Sequence, residues 1–451
     1  MEDVFVEVRR FFMAKVKMWR PEVETLPREE LEKRQLKYFR KQMKYVIEKS
    51  PFYRRKFKAA GVTPNDIKTM DDVRQVPFTT KQELLKSQEE HPIFGDFICI
   101  RPEEAVRVFQ TSGTTGVPLK IPFNQKDWFK ICFDQFAHFL YGYGIESKDV
   151  AFFPFTYGTF IAWWGIQAAM EQLGVTIIPG GGQTSDARVK SIVDWGATVV
   201  CGTPTYIIYL GELAKKMGID LPNSKVKIVI TAGEPGAQVP ATKQLVEKLY
   251  GAKNYDDIGS TEITNFGYEC VMQKGTHMNE GMFLPESLDT ETGKPAAEGK
   301  VGELVLSNLF CESEPLIRYK TKDLVRFNYK KCGCGRTFLR MNGGVLGRAD
   351  DMFTFGGVNI FPSAIENFVR GIPTFSNEYQ LIIPKQGSGK RMTIRVEPAS
   401  SEISDEQVKN AVKQLSESIV YNIKITADIE LVAPGSLPRF EGKAKRVIKA
   451  S

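Results

Sequence analysis

Residues 111 to 116 read TSGTTG, so all six are Ser, Thr or Gly, and Lys120 follows shortly after. Glycines let a backbone approach a ligand closely, and hydroxyls and amide N–H groups on such a loop converge as donors, so the stretch suits an anion. It is not the phosphate loop of the common nucleotide triphosphatases, because G-x-x-x-x-G-K-[ST] does not occur in the chain. A flexible Ser/Gly/Thr linker has the same composition, and the loop alone does not choose between the two. A second constellation is Cys270 and His277, spaced C-x₆-H, with Cys332 and Cys334 in a C-G-C-G-R turn. If the two segments converge, three thiolates and one imidazole make a closed tetrahedral zinc site of the structural kind. Unpaired thiols beside a solvated histidine are the other reading of the same residues. The chain has only three His and no nucleophile–base constellation, so covalent catalysis by a side chain is not indicated.

The elements that must position these residues alternate. Residues 25 to 60 read as charged helix opening at Pro27. From about residue 100, short apolar runs (VAFFPF, VTIIPGGG, ATVVCGTP, KVKIVITAG) alternate with helical patterns (TFIAWWGIQAAMEQLG, VKSIVDWG, YIIYLGELAKKMG). This implies parallel strands with crossover helices, and ligands bind where such strands end. Residues 280 to 330 read as strand–turn–strand, expected as a smaller antiparallel subdomain. After Gly347 come a hairpin, a helix, two strands, a helix and a strand ending at ADIELV, a compact α+β unit. The expected fold class is α/β, with a large multi-sheet N-terminal domain (1–346) and a small mobile α+β C-terminal domain (347–451).

Composition excludes several classes. The chain has 451 residues, 42% apolar and 25% charged, which fits a soluble globular protein of more than one domain. A net charge of +7 without a concentrated basic stripe favours anionic ligands and argues against nucleic acid. There is no apolar run long enough to span a membrane, so no stable membrane insertion is expected. Phe5, Val8, Phe11 and Phe12 fall at helical spacing, read as a helix packed on the domain, and the N-terminus lacks a signal-peptide pattern. Seven cysteines, an odd number, point to a reducing, cytoplasmic setting.

After TSGTTG come, in order, YDDIGSTEIT (255–264), LIRYKTKDL (316–324), GRADDMFTFGGVNIFPSAIE (347–366) and LPRFEGKAKRV (437–447). This series resembles the adenylate-forming acyl-CoA synthetase superfamily. SPFYRRKF, VPFTTKQELL, FTYGTF, TPTY, PLIRYKTKDL and EGKAKRV make the chain similar to the phenylacetate–CoA ligase family within it. The resemblance implies an ATP-dependent acid–CoA ligase that activates a carboxylic acid, aryl by preference, as an acyl-adenylate and passes it to coenzyme A. The substrate carboxylate is then the nucleophile, and the protein supplies positioning and charge neutralisation. Thr111, Ser112, Gly113, Thr114, Thr115 and Gly116 would cradle the β- and γ-phosphates, with Lys120 assisting. Glu262 would hold Mg²⁺, with Thr261 near the α-phosphate. Gly233, Glu234 and Pro235 would line the adenine slot, and Asp256 and Gly259 belong to the same nucleotide set. Asp323 would accept from the ribose hydroxyls, Arg348 would reach ribose or phosphates, and Lys443 would bridge carboxylate and α-phosphate, with Lys445 its neighbouring competitor. Asp350 would be the hinge about which the small domain turns, bringing in either Lys443 or the Gly356–Gly357 loop for CoA attack.

Tyr157, Phe160, Trp163, Trp164 and Tyr206, with Phe155, would lie near the acyl pocket; aromatics at such spacing also suit a plain core. Three positions depart from the superfamily pattern: Ile258 for an adenine-stacking aromatic, Lys320 for arginine, and Lys322 for glycine. Gln110 stands where the closer family often has His. The partners implied are a small carboxylic acid, ATP and CoA, with a homodimer as a further expectation. The alternative function is an adenylyltransferase that leaves AMP on a hydroxyl-bearing acceptor without CoA.

Overall fold

The computed structural model describes residues 17–111, 117–349, 353–355, 358–384, 391–440, 444 and 446–449. The expectations placed on the N-terminal helix, Ser112 to Gly116, Asp350, Gly356, Gly357, Lys443 and Lys445 lie outside the described residues.

Among the described residues, the first long helices are α1 (Arg28–Lys49) and α2 (Pro51–Ala60). The Ser50 side chain caps α2 by accepting from the Tyr53 amide at 3.3 Å. Helix α3 (Lys81–Glu90) starts in a capping box, Thr80 with Glu83, which fixes Lys81 at its first turn. Strands β1 (Ala105–Gln110) and β2 (Lys120–Asn124) form an antiparallel pair on either side of the TSGTTG loop.

The alternation expected from residue 150 onward is present. Strands β3 (Val150–Phe153), β4 (Thr176–Pro179), β5 (Val199–Gly202) and β6 (Ile228–Ala232) follow one another. Helix α4 (Phe133–Gly142) precedes β3; α5 (Ile161–Gln172), α6 (Ser185–Asp194) and α7 (Pro204–Lys216) cross over between strands. Helix α8 (Pro240–Tyr250) leads from β6 to β7 (Lys253–Ser260). These strands pair in the order β4-β3-β5-β6-β7, all parallel. Their continuous apolar runs follow from burial on both faces. Ala151, Phe153, Val199, Cys201, Ile228 and Ile230 enter one core, and Phe152, Val200 and Val229 enter another on the opposite face.

The sheet does not stop at β7. Strands β8 (Thr264–Glu269), β9 (Thr276–Met278), β10 (Phe283–Leu288), β11 (Val301–Asn308) and β12 (Tyr319–Asn328) follow, then β13 (Arg340–Met341) and β14 (Gly347–Arg348). The order runs on as β7-β8-β9-β13-β12-β11-β10, with β14 paired to β12, giving one twelve-stranded sheet. The antiparallel segment of 280–330, expected as a subdomain, is therefore continuous with the parallel one. The short bridge of β13 between β9 and β12 joins them.

The C-terminal unit begins with a hairpin, β15 (Phe353–Phe355) with β16 (Val358–Ile360). Helix α9 (Pro362–Arg370), β17 (Phe375–Ile383), β18 (Thr393–Pro398), α10 (Asp405–Ile423) and β19 (Asp428–Leu431) match the expected sequence of elements. The expectation missed β20 (Val447–Lys449), which adds in parallel to β17. Ile365, Leu381, Ile394, Leu415 and Ile419 lie in a core of its own. Its seam with the large unit is polar. Thr242 Oγ1 donates to Glu366 Oε1 at 3.0 Å, Arg370 Nη1 donates to Thr242 Oγ1 at 2.7 Å, and the Ala241 amide donates to Asn367 Oδ1 at 3.1 Å. Asn377 donates to Glu212 farther along the seam.

Candidate active site

In the order β4-β3-β5-β6-β7 the chain leaves β3 to one side for β4 and returns on the other side for β5. This reversal opens a crevice at the carboxyl ends of β3 and β5, where open α/β sheets bind ligands. The loops around it carry most of the expected residues: Phe155 and Tyr157 after β3, Gly233 to Pro235 after β6, and Thr261 and Glu262 after β7. Two glycines are required here. Gly233 has φ +90°, and a Cβ on Gly259 would stand 2.6 Å from the Thr264 carbonyl across the tight β7–β8 turn.

The TSGTTG loop is pinned where the described residues flank it. The buried Thr111 donates its amide to the Leu119 carbonyl at 3.0 Å and accepts the Leu119 amide on Oγ1 at 3.0 Å. Glu262 is almost fully buried and pairs with Lys81 Nζ at 2.9 Å. Lys81 was missed as a site residue. Its signal was the T-K-Q-E capping box, which fixes a lysine at a helix start. Glu314 was missed as well. A cavity of about 20 Å³ is lined by Glu262, Glu314, Asp127, Gln135, Thr264 and Asn308, among others. Both carboxylate oxygens of the buried Glu314 lack a partner among the described residues. Burial, and then the nearby Glu262, push its carboxyl well above the usual carboxylate range. Asp127 holds the segment in place by accepting the Glu312 and Ser313 amides.

The two expected ribose residues meet. Asp323 and Arg348 are cross-strand partners of β12 and β14, with Nη1 3.8 Å from Oδ1. Lys322, in place of the usual glycine, has φ +64°, so the position needs the left-handed conformation that glycine adopts without cost. Asp256 is buried behind the loop after β6. Its amide donates to Glu269 Oε2 at 3.0 Å, and burial, then Glu269 and Asp257, raise its carboxyl well above the ordinary value. Any added Cβ on Gly236 would stand 3.1 Å from Asp256 Oδ1, so this residue backs the loop.

Glu234 joins three segments. Oε1 accepts the Thr205 amide of α7 at 2.8 Å, and Oε2 accepts the Ala444 amide at 3.2 Å. Ala444 is thereby held against the loop after β6.

The aromatic residues divide. Phe155 lies 5.0 Å from Trp163 and Tyr157 lies 4.5 Å from Trp164, ring centre to ring centre. Trp164 Nε1 donates to the Gly158 carbonyl at 2.8 Å, and Arg107 sits over the Trp164 ring at 5.1 Å. The Tyr157 hydroxyl is buried without a partner among the described residues. Phe160 is half exposed. Tyr206 lies in the first turn of α7, just past β5. It is fully buried in the second core, and its hydroxyl contacts Ser185 at 3.0 Å and the Arg188 guanidinium.

At the other end of β8 the four expected metal ligands converge. Cys270 follows β8, His277 is on β9, and Cys332 and Cys334 lie in the turn between β12 and β13. All four are buried, and their ligand atoms lie within 4.8 Å of one another. Cys270 and Cys332 Sγ are 3.8 Å apart, and Cys334 Sγ is 3.5 Å from His277 Nε2. His277 Nδ1 lies 3.2 Å from the Phe338 carbonyl, which leaves Nε2 facing the thiols.

Residues 31–310 match the family described as AMP-binding enzyme, and residues 357–450 match the AMP-binding enzyme C-terminal domain. The phenylacetate-coenzyme A ligase of Thermus thermophilus is 34% identical, covering 96% of this chain and 99% of its own. That of Escherichia coli is 33% identical over 94% of this chain and 96% of its own. Among solved structures, 2-hydroxyisobutyryl-CoA ligase in the postadenylation state with an acyl-AMP superposes with a TM-score of 0.92 at 30% identity, covering 97% of this chain and 93% of that one. The same ligase with CoA in the thioesterification state gives 0.72 at 31% identity, covering 96% and 92%. The chain therefore superposes better on that ligase in its postadenylation state than in its thioesterification state. The ordered motifs, the sheet that carries them and these relatives agree: the chain belongs to the AMP-binding enzymes, within the phenylacetate–CoA ligase family.

Proposed function

We propose that the protein is an AMP-forming acid–CoA ligase acting on an aryl carboxylic acid. The observation that carries this reading is the Glu234–Ala444 contact, which brings the C-terminal unit to the loop after β6. The acid's carboxylate attacks the α-phosphorus of ATP, the bond to pyrophosphate breaks, and acyl-adenylate results. The CoA thiol, having given up its proton, then attacks the acyl carbonyl and AMP leaves. Thr111 to Gly116 hold the departing pyrophosphate, Asp323 and Arg348 orient the ribose, and Lys443 offsets charge between carboxylate and α-phosphate. Glu262, Asp127 and Glu314 put carboxylate oxygens on one small cavity, the kind of donor a hard cation takes. Glu262 would hold Mg²⁺, which when bound neutralises phosphate charge. Phe155, Tyr157, Trp163 and Trp164 supply the wall for an aryl ring. Zinc, the other metal of this reading, has its site at the far end of β8. Seven unpaired cysteines are in keeping with a cytoplasmic enzyme.

The test is ATP–pyrophosphate exchange across a panel of carboxylic acids, followed by AMP release with and without CoA. Exchange with an aryl acid and CoA-dependent AMP release are expected. AMP transfer to a hydroxyl acceptor without CoA would replace this reading with an adenylyltransferase.

A further inference from the structure

We infer that Cys270, His277, Cys332 and Cys334 bind one structural Zn²⁺, and that this ion fastens the N-terminal strap, residues 17–26, to the large sheet. The donor set comes first. Three sulfurs and one imidazole nitrogen, mutually within 4.8 Å and all buried, make a complete tetrahedral shell. Soft thiolates with imidazole favour zinc over magnesium or calcium. Four protein ligands leave no open position for substrate, which marks the site as structural. The six residues of β8 separate it from Glu262 by roughly 20 Å at about 3.3 Å per residue, so it takes no part in holding nucleotide.

The strap is held by the residues directly after the ligand turn. Arg336, two positions past Cys334, has a fully buried side chain. Its Nε donates to the equally buried Glu24, and its Nη2 donates to the Lys17 carbonyl at 2.7 Å. Thr337 donates its amide to the Glu24 carbonyl at 2.9 Å and its hydroxyl to the Leu26 carbonyl at 2.6 Å. The ligand turn thus grips the strap on both sides of its short helical turn, Pro21–Glu24.

Charge balance points the same way. Zn²⁺ with three thiolates and a neutral imidazole carries one net negative charge, and Glu24 carries another. Arg336 and Arg340, both buried, carry the two compensating positives, and Arg340 is the cross-strand partner of His277. Without the ion and with neutral thiols, one buried guanidinium charge would lack a counter-charge, which burial penalises heavily.

The experiment uses the full-length protein purified without a His tag. Elemental analysis is expected to find about one zinc per chain, and Cys270→Ser and Cys332→Ser to lose most of it. Hydrogen exchange before and after chelation reads the strap: amides of 17–26 are expected to lose protection while those of β5 and β6 keep it. If the variants do not fold, cobalt loaded into the wild-type apoprotein decides, through the spectrum of tetrahedral thiolate ligation. Absence of stoichiometric metal, iron in its place, or a strap whose protection survives chelation would each overturn the inference. Metal content and exchange are read without substrate, so the ligase reading stands or falls separately.

Discussion

The two ends of strand β8 are built on opposite plans. At the Glu262 end, the candidate site is gathered from loops after three parallel strands, and Ala444, from a unit with its own core, reaches one of those loops. At the Cys270 end, four side chains from strands and one turn meet inside a single folded body. On the proposed function, the first site must admit ATP, exchange acids and release pyrophosphate, so groups from the small unit would have to leave it. A site that only has to hold is closed for good. Rigidity and reactivity are therefore separated along one strand.

The largest expected effect tests the movable side. Lys443→Ala should lower pyrophosphate exchange by about 10²–10³-fold, the usual loss for a group that stabilises developing charge. Thioester formation from supplied acyl-adenylate should be spared. Equal loss of both half-reactions would put Lys443 on the permanent side of the comparison. Next, Glu234→Ala removes the tether to Ala444. One charge-assisted hydrogen bond, about 1.5 kcal/mol, predicts a loss of roughly tenfold in adenylation and less in thioesterification. An unchanged exchange rate would mean the tether does not position the segment.

Glu314→Gln sharpens the fixed floor beneath Glu262. The Glu314 carboxyl is raised in the folded state, so its contribution to stability is complete below the unfolded pKa, about 4.3, and fades as pH rises toward the folded value. The variant should melt with the wild type near pH 4 and above it at pH 8. A melting difference independent of pH would show that the carboxyl is ionised throughout or that its role is packing alone. The smallest effect is expected at Lys322, held at φ +64°. Lys322→Gly should stabilise by up to about 1 kcal/mol in chemical denaturation, the scale of relieving a left-handed residue. Destabilisation would mean that the interactions of the lysine side chain outweigh its backbone strain.

Much of this was legible in the sequence because it is local. Apolar runs with strand length and helical periodicity located β3 to β6 and their crossovers, and glycines at Gly233 and Gly259 fell where the backbone needs them. Pairing across long distances left no such mark. The bridging of β9 to β12 by a two-residue strand and the addition of β20 to β17 depend on tertiary packing. Lys81 and Glu314 reach Glu262 from segments far away in the chain. Tyr206 shows the reverse problem. The resemblance put it near the acyl pocket, and only the structure shows that its ring packs in the second core, with its hydroxyl against Ser185 and Arg188. The Cys/His spacing was readable, whereas the strap that Arg336 holds was not.

The seam between the two units has a thermal consequence. Its contacts run through Thr242, Glu366, Arg370, Asn367, Glu212, Asn377 and Glu234, while the apolar cores stay on their own sides. Heat-capacity change follows apolar exposure and is offset by polar exposure. Swinging the small unit away should carry almost none, so the balance between its orientations should vary with temperature along a nearly straight van't Hoff line. The slope of that line would then give one enthalpy for the rearrangement, the same at every temperature.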